Sequence, residues 1–260
     1  MMIDTHAHLY MPEFENDRLE VIARAKAAHV KQIILPNVDR ETFQPMCALK
    51  SVDQELFHVA VGLHPTAIND QFLAELEWIK QESAHIPFVA YGEIGIDLYW
   101  SQDHLNEQIT AFEQQLQWAV DDQLPVIIHQ RNAFEETIHC VEKYASKGLS
   151  GVFHSFGGTL DEAKRILNFE HFYLGINGIV TFKNSQLSET LKHVPLNRLV
   201  LETDAPYLTP VPYRGKRNES SFLPFIIKML CEIYHTSDKV VEEITTQNAT
   251  TLFRLNQIEF

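Results

Sequence analysis

Residues 1–10 read M-M-I-D-T-H-A-H-L-Y, and the stretch D-T-H-A-H at 4–8 sets two imidazoles one residue apart at the end of the first apolar segment. Successive side chains of a β-strand point to opposite faces, so alternation predicts His6 and His8 on one face with Asp4 two residues deeper. Two neutral imidazoles aimed at one point suit a metal ion. A pair of surface histidines on a frayed terminus is the competing meaning, and the motif by itself does not separate the two.

What separates them lies farther along the chain. Short β-rich runs recur: I-D-T-H-A-H-L (3–9), K-Q-I-I-L-P-N-V (31–38), F-H-V-A-V-G-L-H (57–64), F-V-A-Y-G-E-I-G (88–95), P-V-I-I-H-Q-R (125–131), S-G-V-F-H-S-F (150–156), F-Y-L-G-I-N-G (172–178) and R-L-V-L-E-T-D (198–204). Between them lie stretches such as 17–29 and 104–120, whose apolar residues recur at three- and four-residue spacing, the period of an amphipathic helix. Eight strands alternating with helices over roughly 250 residues predict an α/β fold of the (β/α)8 TIM-barrel type. A doubly wound open sheet has the same alternation. No G-x-G-x-x-G or G-x-x-x-x-G-K-[ST] follows the first strand, which removes the usual reason to prefer it.

The 260 residues are 45% hydrophobic, enough for one barrel-sized core, and no low-complexity segment, Gly/Ser linker or charge block marks a boundary, so one domain over 1–260 is expected. The formal charge of −14 argues against coating nucleic acid by long-range attraction. Metals and a few arginines can still reverse the local field around a phosphate. Cys47, Cys140 and Cys231 are odd in number and form no C-x-x-C, so neither a disulfide framework nor a zinc knuckle is suggested. The N-terminus lacks a basic stretch followed by an apolar run, and no segment is long and apolar enough to span a bilayer. The expectation is a soluble, cytoplasmic protein without a membrane partner, acting as a monomer.

Polar residues interrupt the apolar runs at their carboxyl ends: His6 and His8 in the first, His64 in the third, Glu93 in the fourth, His129 in the fifth, His154 in the sixth and Asp204 in the eighth. In a barrel these ends converge on the face that carries the active site. Alternation predicts that Asp4, His6 and His8 share a face, as do Tyr91 and Glu93, Ile127 and His129, Val152 and His154, and Val200, Glu202 and Asp204. Four histidines and two carboxylates exceed what one catalytic zinc needs. Two metal ions bridged by Glu93 fit better, with Asp204 orienting a water and taking its proton. A single histidine at a strand end is more often a packed residue, and His29, His58, His85, His104, His139, His171, His193 and His235 are taken that way.

The segment P-V-P-Y-R-G-K-R-N follows the eighth strand, where this fold frequently binds phosphate. It gathers Arg214, Lys216 and Arg217 within an acidic chain, and Arg131 lies just beyond His129 on the same face. These positions favour contacts to phosphate, for which arginine offers bidentate hydrogen bonds, over a merely solvated charge cluster. Tyr99, Trp100 and Tyr207 follow strands and are candidates for stacking on a base or for packing within their loops.

Taken together, D-T-H-A-H-L, V-G-L-H-P, Y-G-E-I-G-I-D, V-I-I-H-Q-R, F-H-S-F-G-G, L-E-T-D-A-P-Y-L, P-V-P-Y-R-G-K-R-N-E and N-A-T-T-L-F resemble the TatD family of metal-dependent deoxyribonucleases, across essentially the whole chain. The resemblance implies a metal-dependent hydrolase with DNA as substrate and two divalent ions, magnesium, zinc or manganese. It implies that His6, His8 and Asp204 bind one ion, that His129 and His154 bind the other, and that Glu93 bridges them. His64 and Glu202 are implied as active-site residues. The chain departs from the family pattern at Asn132, Ser155, Ala205 and Tyr213, where Asp or Glu, Cys, Ser and His are common, which bears on substrate preference. Hydrolysis of an amide, lactone or ester, and a non-catalytic metal-containing protein that binds nucleic acid or a partner, remain the alternatives, since barrels host many reactions.

Overall fold

Each run rich in β-branched residues becomes a strand with one face toward a barrel interior and the other toward a ring of helices. The computed structural model describes residues 1–255; residues 256–260, included in the domain expected from sequence, lie outside the described residues. In chain order the elements are β1 (Met2–Asp4), α1 (Arg18–Ala27), β2 (Val30–Pro36), α2 (Arg40–Val52), β3 (Phe57–Val61), α3 (Phe72–Ser83), β4 (Ala90–Asp97) and α4 (Leu105–Asp122). There follow β5 (Val126–Arg131), α5 (Phe134–Ala145), β6 (Gly151–Phe153), α6 (Leu160–Leu167), β7 (Phe172–Ile176), α7 (Leu187–Leu191), β8 (Leu199–Leu201), α8 (Leu223–Tyr234) and α9 (Asp238–Phe253). All the strands pair in parallel with their neighbours in sequence order.

Beyond β1 and β8 the chain closes the seam. Thr5 N donates to Leu201 O at 2.9 Å, Asp204 N to His6 O at 2.8 Å and His8 N to Ala205 O at 2.7 Å. The segments that carry His6, His8 and Asp204 are therefore held by the hydrogen bonds that complete the barrel.

Alternation splits the strand residues into two packed sets. Ile3, Ile34, Ala60, Ala90, Ile127, Val152 and Val200 fill the interior, where Ala249, Leu252 and Phe253 of α9 join them. Their neighbours Ile33, Leu35, Val59, Val61, Ile128, Phe153 and Leu201 point outward into the larger core under the helices. This leaves the opposite, C-terminal end of the interior for polar groups. Helices α2 and α6 start directly behind that end, capped by reciprocal hydrogen bonds between Asp39 and Thr42 and between Thr159 and Glu162.

Two expectations from strict alternation are corrected here. In the pairing of β4 with β5, Tyr91 lies opposite Val126 and Ile94 opposite Ile128, so three steps on β4 match two on β5. That extra residue is a β-bulge, which re-aims a side chain. Tyr91 faces outward, its hydroxyl bonded to Asp122 and Lys80, while Glu93 joins the histidines at the mouth. Asp4 likewise does not share the face of His6 and His8. Its carboxylate accepts from Thr203 N at 2.9 Å and Thr203 Oγ1 at 2.7 Å, tying β1 to the segment after β8. Glu93 and His129 sit within β4 and β5 rather than at their ends, because these strands extend to Asp97 and Arg131. Among the described residues no helix is long and apolar enough to cross a membrane.

Candidate metal centre

Glu93 is buried at the mouth and divides its two oxygens between two groups of side chains. Oε2 lies 3.2 Å from His6 Nε2 and 3.7 Å from His8 Nε2. The two Nε2 atoms are 3.1 Å apart, and each is 3.7 Å from Asp204 Oδ1. Oε1 lies 2.7 Å from His129 Nδ1, 3.3 Å from His154 Nε2 and 3.4 Å from His64 Nε2. Donor atoms about 2.1 Å from an ion in a tetrahedral arrangement are about 3.4 Å apart, so both groups have the spacing of a ligand shell.

The hydrogen bonds behind the rings decide which nitrogens carry lone pairs. His154 Nδ1 lies 3.1 Å from Glu202 Oε1, which fixes one proton there and turns Nε2, the atom a cation would take, toward Glu93. His129 lies between two carboxylates, its Nε2 2.9 Å from Asp97 Oδ2 and its Nδ1 2.7 Å from Glu93 Oε1. Asp97 holds a proton on Nε2, so a cation displacing the Nδ1 proton would find that lone pair on the side of Glu93. His8 Nδ1 donates to Tyr10 OH at 2.9 Å, and that hydroxyl donates to Pro36 O at 2.6 Å. Carboxylate or carbonyl support behind an imidazole is the usual arrangement around a bound metal. His64 differs, because its Nδ1 accepts from Thr66 N at 3.1 Å. Its neutral ring therefore carries the proton on Nε2 and offers a donor to the cluster instead of a lone pair.

Electrostatics point the same way. Burial first, and the neighbouring His154 second, hold His6 well below the usual imidazole range, and burial pushes His8 down to about 4, so both are neutral. Burial opposes ionisation of Glu93, but the positive charge of His154 above all, with the hydrogen bond from His129 Nδ1, outweighs it and keeps the carboxylate charged. Burial also opposes protonation of His154, yet Glu202, Glu93 and Asp204 raise it to about 10. Burial lifts Asp204 to about 8, with Glu93 and Glu202 adding to the effect. Burial opposes a charge on His129 too, but its hydrogen bonds to Asp97 and Glu93 raise it, so without cations the cluster holds added protons on His154 and Asp204 and favours one on His129. The donor set of imidazole lone pairs and carboxylates fits divalent cations, whose charge would take over the task of those protons.

Local sequence choices make the packing possible. A Cβ on Gly175 of β7 would run into the carboxylate of Glu202, so only glycine leaves room for that buried group. Gly95 (φ 151°) lies against the backbone of His129 so closely that a Cβ would strike it. Asp204 (φ 58°) and Ser155 (φ 51°) adopt left-handed conformations just beyond their strands, held by the seam bond of Asp204 N and by Ser155 N donating to Glu202 Oε1 at 2.6 Å.

The structure thus brings His6, His8, His64, Glu93, His129, His154, Glu202 and Asp204 together. Asp97 was missed from sequence, although it shares the alternation of Glu93 and ends the stretch Y-G-E-I-G-I-D. Tyr10 was missed as well, since nothing local predicts that its hydroxyl reaches His8. The basic residues part company. The Arg131 guanidinium lies 3.5 Å from the Tyr99 ring centroid, and that of Arg214 lies 3.7 Å from the Phe182 ring centroid. Arg217 is engaged within the chain, donating to Asp17 Oδ2 at 2.7 Å and to Glu13 O while stacking over Phe14. Tyr213, where the family often has His, stacks on Phe222 with ring centroids 4.6 Å apart.

A parallel eight-stranded barrel whose C-terminal mouth gathers imidazoles around a shared carboxylate defines a metal-dependent hydrolase. The model of the family described as TatD related DNase matches residues 3–254, and the chain belongs to that family. It is 37% identical over 258 residues to an uncharacterized metal-dependent hydrolase, YabD, of Bacillus subtilis, covering 98% of this chain and 100% of that protein. It is 33% identical to the 3'-5' ssDNA/RNA exonuclease TatD of Cronobacter sakazakii, covering 98% of each. The crystal structure of YjjV, a TatD homologue from Escherichia coli, superposes with a TM-score of 0.90 at 30% identity over 98% of both chains.

Proposed function

We propose that the chain is a deoxyribonuclease that hydrolyses DNA phosphodiester bonds with two divalent ions, magnesium, zinc or manganese, at the barrel mouth. The observation that carries this is the division of Glu93, one oxygen among His6, His8 and Asp204 and the other among His129, His154 and His64. His6, His8 and Asp204 would hold one ion, His129 and His154 the other, and Glu93 both. When bound, the ions supply Lewis acidity that activates a water near neutral pH and offsets charge on the attacking and leaving oxygens.

The side chains do the rest. Asp204 is the more open of the two carboxylates, with 13% of its side chain exposed against 4% for Glu93, and suits accepting the proton of the attacking water. Asp97 and Glu202 orient His129 and His154. His64 offers its Nε2 proton to an oxygen in the site. Arg131 and Arg214 supply cationic contacts to phosphate in an otherwise acidic chain, while Arg217 ties the Arg214 loop to the start of α1. Membership in a family described as TatD related DNase and the likeness to a nucleic-acid exonuclease support DNA as the substrate. The same reading takes residues 1–260 as one domain that acts as a monomer in the cytoplasm.

The test is an assay of the purified protein against single-stranded DNA, double-stranded DNA and a lactone panel, with each metal added in turn. Metal-dependent DNA cleavage that a chelator abolishes is expected. Turnover of lactones with no DNA cleavage would overturn the reading.

A further inference from the structure

Beside the centre stands an exposed platform whose geometry the hydrolytic chemistry does not require. Trp100 is 73% exposed and Tyr99 51%, the two rings meeting edge to face with centroids 4.9 Å apart. The Arg131 guanidinium lies 3.5 Å from the Tyr99 centroid and 5.5 Å from that of Trp100. Large aromatic side chains left in water need a reason, and a cation stacked on one of them makes a flat surface suited to a π-face next to an anion.

The platform is anchored to the centre by one carboxylate. Asp97 Oδ1 accepts from Tyr99 N at 2.9 Å, and Asp97 Oδ2 lies 2.9 Å from His129 Nε2. Arg131 stands two residues beyond His129 on the same strand. Gln108 of α4 braces the turn, accepting from Asp97 N at 2.8 Å and donating to Asp97 O at 3.1 Å. The turn that carries the two aromatic rings is thus tied through Asp97 to the ring that faces Glu93.

We infer that Tyr99, Trp100 and Arg131 form a subsite for one unstacked nucleobase next to the scissile phosphate, the base lying on Trp100 and Arg131 contacting the adjoining phosphate. The inference rests on the phosphodiesterase reading above and adds the specificity-determining residues. An unstacked base is available in single strands and frayed ends but not within a duplex, so the subsite favours single-stranded substrate.

The test pairs Trp100→Ala and Trp100→Phe with a single-stranded oligonucleotide and its counterpart that lacks the base beside the cleaved bond, with bis(p-nitrophenyl) phosphate as a base-free phosphodiester. Trp100→Ala should raise KM and weaken metal-free binding of the intact oligonucleotide by roughly 10-fold or more, the range of one base–aromatic stack, while Trp100→Phe retains most of the affinity. The penalty should shrink on the abasic oligonucleotide, and binding to the parent protein should quench tryptophan fluorescence. Equal penalties on both oligonucleotides, or no change in KM and binding, would overturn the subsite. Parent protein that cleaves bis(p-nitrophenyl) phosphate but no oligonucleotide overturns it too, and leaves standing only the phosphodiester chemistry of the metal centre. Cleavage of neither phosphodiester brings down both.

Discussion

Asp97 and His129 form a hydrogen-bonded pair at 2.9 Å, on the far side of the imidazole from Glu93. The carboxylate fixes the ring's tautomer and orientation, and such supporting groups typically contribute about 10–100-fold in metal affinity or activity. Asp97→Ala should therefore weaken metal binding in that range while the far-ultraviolet circular dichroism stays unchanged. Metal titration followed by calorimetry reads the effect, and unaltered affinity would show that His129 needs no support.

Asp204 carries the most demanding proposed role. Asp204→Asn keeps the shape and one coordinating oxygen but removes charge and basicity. General-base contributions are about 10²–10⁴-fold, so kcat should fall by that order and should not recover at saturating metal. Near-normal turnover at high metal would make Asp204 a ligand only.

Protons and metals compete for the same atoms, which sets the pH dependence. Burial raises the Asp204 carboxyl from an ordinary 3.8 to about 8 in the metal-free cluster. Its folded value lies above its unfolded one, so its stabilising contribution is complete below about 4 and is lost as pH rises toward about 8. Bound cations reverse this by favouring the ionised form. Added metal should raise Tm more at pH 8 than at pH 6, and binding at pH 7 should release protons, read by calorimetry in buffers of different ionisation enthalpy. A Tm increment equal at the two pH values would contradict the scheme.

Arg214 and Arg217 lie three residues apart and should behave differently. Arg214→Ala should weaken DNA binding and lower the salt slope by about one. Arg217 pairs with Asp17 with 31% of its side chain exposed, where such pairs contribute about 0.2–1 kcal/mol. Arg217→Ala should lower Tm slightly with little change in the salt slope. Equal effects of both substitutions on the slope would assign phosphate contacts to both.

The barrel is legible along the chain because its signals are local: a two-residue period in short runs, a longer period between them, and histidines and carboxylates toward the ends of the apolar runs. Those same signals picked out His6, His8, Glu93, His129, His154 and Asp204, since a polar residue inside an apolar strand is conspicuous without any contact map. What joins distant segments was decided only in three dimensions. Glu93 turns inward because of a bulge defined by its pairing with β5, which strict alternation along one strand cannot express. His64 becomes a donor because Thr66 N takes its other nitrogen, and Arg217 is occupied because α1 brings Asp17 beneath it. Gly175 is needed for a carboxylate that arrives from the next strand. Periodicity is a property of neighbours along the chain, whereas tautomers, pKa values and free charges depend on neighbours in space, and those exist only once the barrel has closed.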